Sequence, residues 1–170
     1  LNLSTDDAAK LLRGTAGSRV RLTWQTPDQE KRAGEFVRRR VDIRSITRHA
    51  ILDQQRGIGY IRMEGFQEDT VQELDTALRA LEAEGMQALV LDLRGNPGGL
   101  LDTAAAVAER FIDSGVVVTT RGRNANQNQV YRVNGAYTRP YPLALIVDED
   151  SASASEIIAG AVRDHNRGVI

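Results

Sequence analysis

Apolar and polar positions follow two different rhythms along this chain, one up to about residue 43 and another from about residue 57. In the first part Val20, Leu22 and Trp24 alternate with arginines and threonine in RVRLTWQ, and after the polar TPDQEKRAGE a second alternating run reaches Ile43. A period of two places every second side chain on one face, so both runs predict strands. Ahead of them, Ser4 and Thr5 before Asp6 and Asp7 form an N-cap with acidic first-turn residues. They predict a short helix that carries Ala8, Leu11 and Leu12 and stops at Gly14. Helix, strand, turn and strand over so few residues bury too little apolar surface to stand alone, which points to part of a small domain that begins upstream.

From Arg44 to Arg56 the periodicity fades, and residues 44–56 are read as a linker. Beyond it GIGYIRME predicts a strand, and Val71, Leu74, Leu78 and Leu81 share one face of a helix that ends near Gly85. ALVLDL is a short, almost wholly apolar run, the pattern of a strand buried on both faces of a parallel sheet. The loop RGNPGG then leads into LLDTAAAVAERFI, where Leu101, Ala104, Ala105, Ala108, Phe111 and Ile112 fall on one helical face. GVVVTT and NQVYRVNG read as strands around a polar loop, and LALIVD as a buried strand feeding a helix that begins near Ser153. This order predicts an α/β fold, a mixed sheet with right-handed βαβ crossovers, and shows no internal repeat.

Composition narrows the function classes. With 22 basic and 23 acidic residues and a net charge of -1, nothing electrostatic suggests nucleic acid or anionic lipid. The one basic run, VRRRVDIR, alternates with apolar residues and reads as the wet face of a strand. No apolar run is long enough for a membrane span. The absence of cysteine excludes disulfides, thiolate metal sites and cysteine nucleophiles, and two distant histidines, His49 and His165, suggest no metal site. No cofactor is implied. The opening LNLSTDDAAK carries neither an initiator methionine nor a leader, which is read as the start of an excerpt.

Chemistry in open α/β sheets gathers where strands end and helices begin, because helix N-termini present unpaired N–H groups there. Two such junctions stand out. In DLRGNPGGLLD, Gly95, Gly98 and Gly99 let backbone amides turn toward an anion or oxyanion, and Pro97 stiffens the approach, although a plain tight turn would use the same glycines. The loop lacks the lysine and spacing of a phosphate-binding P-loop. In VDEDSASASEIIAG, Ser151, Ser153 and Ser155 alternate with small residues. Ser153 and Glu156 have the spacing of a capping box, so spacing alone favours a helix cap over a nucleophile. The G-x-S-x-G elbow of the α/β hydrolases is absent.

The segments GYIRMEGF, LVLDLRGNPGGLLDTAAAVAERFI, VVVTTRGRN and LALIVDEDSASASEIIAGAVRDHNR, in this order and at these separations, resemble the carboxy-terminal processing peptidases, or tail-specific proteases. The resemblance runs from about Gly57 to the end and implies a serine peptidase core over 57–170, of a sheet topology related to crotonases. It also likens residues 1–43 to the C-terminal half of a PDZ domain, whose carboxylate-binding loop would lie upstream. Aligned on the family's S-A-S-A-S-E stretch, the nucleophile is Ser153. The amide of Ala154 then supplies one oxyanion donor, and Gly98 or Gly99 the other. Ser151 and Ser155 become helix-start and packing positions, and Glu156 keeps its capping role.

A serine hydroxyl needs a base within about 3 Å. His165 lies on the same predicted helix, about 18 Å along its axis from Ser153 at about 1.5 Å per residue, out of reach while the helix is intact. Asp150 beside the serine makes no triad without a reachable histidine, and His49 falls in the expected linker. The family uses a Ser-Lys dyad. The only lysines here, Lys10 and Lys31, sit in the PDZ-like part, so the resemblance places the catalytic lysine beyond Ile170. The expectation is a serine endopeptidase that cleaves proteins near unstructured C-terminal tails, inactive as the 170-residue chain alone. The alternative is a non-catalytic peptide-binding protein that keeps the scaffold; a third reading is an acyl-CoA-handling enzyme that needs the glycine loop but not Ser153. Substrates would be proteins or peptides with exposed C-termini, and the resemblance implies a periplasmic or cell-envelope setting. Oligomeric state is not legible.

Overall fold

The alternating runs of the first part pair with each other, β1 (Arg19–Gln25) antiparallel to β2 (Lys31–Val37), in a register that sets Leu22 against Gly34 and Trp24 against Arg32. The Trp24 and Phe36 rings pack at 5.9 Å between centroids. The computed structural model describes residues 8, 11–39, 44–124, 128–136 and 138–170 and divides into two units, Leu1–Asp42 and Ile43–Ile170. In the first unit Ala8, Leu11 and Leu12 are helical, as their spacing predicts, while the N-cap expected at Ser4 and Thr5 lies outside the described residues. So do Val41 and Ile43, the end of the second expected strand. Arg38 departs from the wet-face reading. Its guanidinium donates to Leu12 O at 2.7 Å and Leu11 O at 3.2 Å, satisfying carbonyls that a helix end leaves without partners.

The second unit is built on a four-stranded mixed sheet in the order β3 (Ile46–Asp53), β4 (Ile58–Met63), β5 (Ala88–Asp92), β8 (Leu143–Ile146). β4, β5 and β8 run parallel and β3 is antiparallel to β4. The expected linker over 44–56 is therefore corrected: most of it is β3 and the turn that returns the chain into β4. Periodicity fades there because β3 is an edge strand with two register shifts, so its side chains do not alternate cleanly between core and solvent. Parallel neighbours require crossovers, and α1 (Thr70–Ala83) joins β4 to β5, while α2 (Leu101–Ala108) and the hairpin of β6 (Gly115–Thr120) and β7 (Gln129–Val133) lie between β5 and β8. α3 (Ala154–Asp164) follows β8. After it, Val169 bridges in parallel to Ala144, on the side of β8 away from β5.

One face of the sheet faces the core. Ile61, Met63, Leu89, Leu91, Leu143 and Leu145 share a single cluster with Leu74, Leu78 and Leu81 of α1, Ala104 and Val107 of α2, and Ile158 and Val162 of α3. The other face, with Tyr60, Val90, Ala144 and Ile146, is only half buried. β5 is thus covered fully on one side, not on both as its apolar run suggests. The helix expected through Ile112 ends at Ala108, yet Phe111 and Ile112 still reach the core from the turn that follows.

Candidate active site at two strand–helix junctions

The C-terminal ends of β5 and β8 lie side by side, so the loop over 93–100 and the turn over 147–153 meet. Several hydrogen bonds join them. Gly95 N–H donates to Asp148 Oδ1 at 2.7 Å, the Ser151 hydroxyl to Leu93 O at 2.8 Å, Ala152 N–H to Asn96 O at 3.0 Å and the Ser155 hydroxyl to Asn96 O at 2.9 Å. A third element joins from β4, where Phe66 N–H donates to Gly98 O at 3.0 Å and Leu100 N–H to Phe66 O at 2.8 Å.

These bonds separate the three serines by role. Ser151 and Ser155 spend their hydroxyls on carbonyls of the glycine loop, and Ser155 is fully buried. Ser153 is exposed and sits at φ 54°, ψ -112°, a backbone conformation that side chains with a Cβ rarely adopt. Its N–H donates to Glu156 Oε2 at 2.7 Å, one arm of the expected capping box, which makes Glu156 a brace of the turn. Ser153 is thus the N-cap of α3, and Ala154 N–H is among the first-turn donors that a helix leaves without intrahelical partners.

Gly98 faces this point. A Cβ on it would lie 2.8 Å from each of Ala152 O, Ala154 N and the Ser153 Cβ, so only glycine allows the loops to approach so closely. Its own N–H is engaged by Asn96 Oδ1 at 2.8 Å. No hydrogen bond from Gly99 N–H is made among the described residues. Ser153, Ala154 and Gly98 are therefore close neighbours, with Gly99 the next residue along the loop.

The two histidines lie elsewhere in the second unit. His165 closes the far end of α3, where its Nε2–H donates to Val116 O at 2.8 Å and its ring packs on Gly115. His49 stands exposed on the edge strand β3. Asp150 is exposed, Lys31 belongs to β2 of the other unit, and Lys10 lies outside the described residues. The described residues contain no cluster of histidine, aspartate or glutamate fit to hold a metal ion. No helix among them is long and apolar enough to cross a membrane.

Two groups that spacing alone does not single out shape this end of the sheet. Asp148 accepts N–H groups of Gly95 and Asp150, and the Gly95 bond above all holds its carboxyl below the ordinary carboxylate range. Asp92 ends β5 with no exposed surface, ringed by Arg94 at 2.7 Å, Arg62 at 3.1 Å and the Tyr60 hydroxyl at 2.7 Å. Burial pushes its carboxyl up, but the hydrogen bonds from Arg94, Tyr60 and Arg62 outweigh burial and hold it well below the usual value. A carboxyl depressed in the folded state stabilises the fold at every pH above its unfolded value, about 3.9, and loses that contribution as pH falls further. Acid titration of the protein should therefore show a stability loss below about pH 4 that is smaller in Asp92→Ala. That variant should be less stable by about 2 kcal/mol at pH 7, because the Tyr60 hydroxyl and two partly exposed arginines lose the carboxylate they bind. Equal urea midpoints for the two proteins at neutral pH would contradict this.

The glycine loop and serine turn belong to a known lineage: the chain is a member of peptidase family S41, whose model matches residues 57–170. It is similar to a carboxy-terminal-processing protease of Bartonella bacilliformis, with 36% identity over 97% of this chain and 38% of that protein. A Staphylococcus haemolyticus protein described as "Probable CtpA-like serine protease" is 34% identical over 97% of this chain and 33% of its own length. Among solved structures, the photosystem II D1 C-terminal processing protease superposes with a TM-score of 0.65 at 28% identity, over 98% of this chain and 46% of that one. The chain thus spans between a third and two fifths of the two curated relatives.

Proposed function

We propose that the protein to which these residues belong is a serine endopeptidase that cleaves proteins near unstructured C-terminal tails, with Ser153 as its nucleophile. The observation that carries this reading is the exposed Ser153 at φ 54°, the N-cap of α3, beside a glycine loop that admits no side chain at position 98. A capping serine needs none of that. The Ser153 Oγ adds to the scissile carbonyl carbon and its proton passes to a general base. The carbonyl oxygen, now negative, receives hydrogen bonds from Ala154 N–H and from the glycine loop. Gly99 is the donor there, because the Gly98 N–H is already held by Asn96. The C–N bond then breaks, the amine leaves with the proton, and water hydrolyses the acyl-enzyme.

The base in this reading is the lysine that the resemblance implies, and because residues 43–170 contain none it comes from elsewhere in the protein. Desolvation would keep enough of it neutral to accept the proton. On this reading the 170-residue chain alone turns over no peptide, and residues 1–43 serve as part of a PDZ-like peptide groove. The test is labelling of the full-length protein with a fluorophosphonate, followed by peptide mapping, alongside cleavage of a reporter with an unstructured C-terminal tail. Modification confined to the peptide containing Ser153, with parallel loss of cleavage, is expected. Cleavage that survives full labelling of Ser153, or a protein that cleaves but labels at another residue, would overturn the reading.

A further inference from the structure

Asn96 has no role in the chemistry set out above, yet it is the fully buried residue on which the site's three elements converge. Its Nδ2 donates to Met63 O at 3.0 Å, at the end of β4, and its Oδ1 accepts Gly98 N–H at 2.8 Å. Its main-chain oxygen accepts both Ala152 N–H at 3.0 Å and the Ser155 hydroxyl at 2.9 Å. One residue therefore touches the central sheet, the glycine loop and both flanks of Ser153.

We propose that Asn96 is a positioning residue, whose side-chain amide sets the peptide planes of the glycine loop against the Ala154 N–H so that the oxyanion donors are aligned before substrate binds. The proposal rests on the reading of Ser153 as nucleophile. Gly98 and Gly99 stand at φ 97° and 152°, and glycines are the residues with most conformational freedom to lose, so their amides need an external constraint to share one orientation. Oδ1 supplies it by fixing the Gly98 N–H, which also withdraws that donor and leaves the next peptide to face the site. Nδ2 in turn ties the amide to β4, so the loop cannot rotate as a body. Donors aligned in advance favour the transition state because they need no reorganisation as negative charge develops, whereas they add little to ground-state binding.

The test uses the full-length protein with Asn96→Ala and Asn96→Asp, the latter keeping an acceptor for Gly98 N–H. In Asn96→Ala, kcat should fall by about 100-fold with KM within about threefold. Affinity for a peptide aldehyde, which adds to the serine and mimics the tetrahedral species, should fall by a similar factor. Binding of the uncleaved substrate peptide, measured with Ser153→Ala in the background, should not change. Asn96→Asp should recover part of the lost kcat. If Asn96→Ala does not fold, Asn96→Asp decides by the same comparison: aldehyde affinity that falls while peptide affinity holds supports the proposal. Unchanged kcat, or peptide and aldehyde affinities that fall together, would reduce Asn96 to a packing residue. Absence of fluorophosphonate labelling at Ser153 in the unsubstituted protein would remove the nucleophile reading first and this one with it, whereas intact labelling with unchanged kcat in the variants removes this one alone.

Discussion

Ser153→Gly is expected to make the full-length protein more stable and to lower its peptidase kcat by about 10⁴ to 10⁶, the loss that follows removal of a serine nucleophile. The sign of the stability change follows from magnitudes. Holding a residue with a Cβ at φ 54°, ψ -112° costs about 1–3 kcal/mol, which glycine largely avoids. Against that, glycine adds about 0.4–1 kcal/mol of unfolded-state entropy. Exchanging a serine N-cap for glycine removes only a few tenths of a kcal/mol. The net expectation is a gain of about 1 kcal/mol. Ser153→Ala should lose the same activity without that gain, because it keeps the Cβ in the strained conformation. A cap would behave in the opposite way: its loss would destabilise the fold and leave catalysis in place. Urea denaturation of the three proteins, with kcat measured on the same preparations, reads both quantities. A Ser153→Gly variant that is less stable than the unsubstituted protein, or that still cleaves, would show that the strain is not held there for chemistry.

Much of this arrangement can be read before any coordinates. The apolar runs at β4, β5 and β8 and the helical spacing of Leu74, Leu78 and Leu81 locate the parallel strands and α1, because burial on a regular element leaves a period in the sequence. β3 leaves no such period, being an irregular edge strand, and so reads as a linker. The half-exposed back face of the sheet is equally silent, since Val90 and Ala144 look as apolar as the residues of the core. At the site, S-x-x-E is the spacing of a capping box, and the Glu156 arm of one is present, so that spacing by itself marks no nucleophile. What separates the outer serines from the middle one is a tertiary fact, the carbonyls of Leu93 and Asn96 that Ser151 and Ser155 bind. No spacing within VDEDSASASE could supply it. Asn96 did leave a trace: asparagine two residues before a glycine amide is a common side-chain turn, and its Oδ1 makes that bond. Its bonds to Met63 and to the serine turn are long-range and left none.

Gly98→Ala should remove about 10³-fold of kcat/KM from the full-length protein and destabilise it by about 2 kcal/mol. Two separate effects combine. At φ 97° an alanine is strained wherever it sits, which accounts for about 1 kcal/mol or more. Its methyl would also stand 2.8 Å from Ala152 O, from Ala154 N and from the Ser153 Cβ, and two of these are backbone atoms that can yield only if the serine turn moves. A methyl against Ala154 N covers the donor that an oxyanion would use, and the loss of one such donor is worth about 10²–10³ in rate. Displacement of Ser153 itself accounts for the remainder, since small errors in attack geometry cost a further order of magnitude or more. Gly99→Ala differs in kind, because its methyl would strike the Phe66 carbonyl of the β4-side bridge and so attack the loop's attachment to the sheet. The first substitution should therefore depress aldehyde affinity far more than stability, whereas the second should lower both, because it also displaces the Gly99 N–H proposed as a donor. Near-normal kcat/KM in a folded Gly98→Ala protein would mean that the close approach of the two loops serves packing alone, and the oxyanion donors would then have to be sought elsewhere.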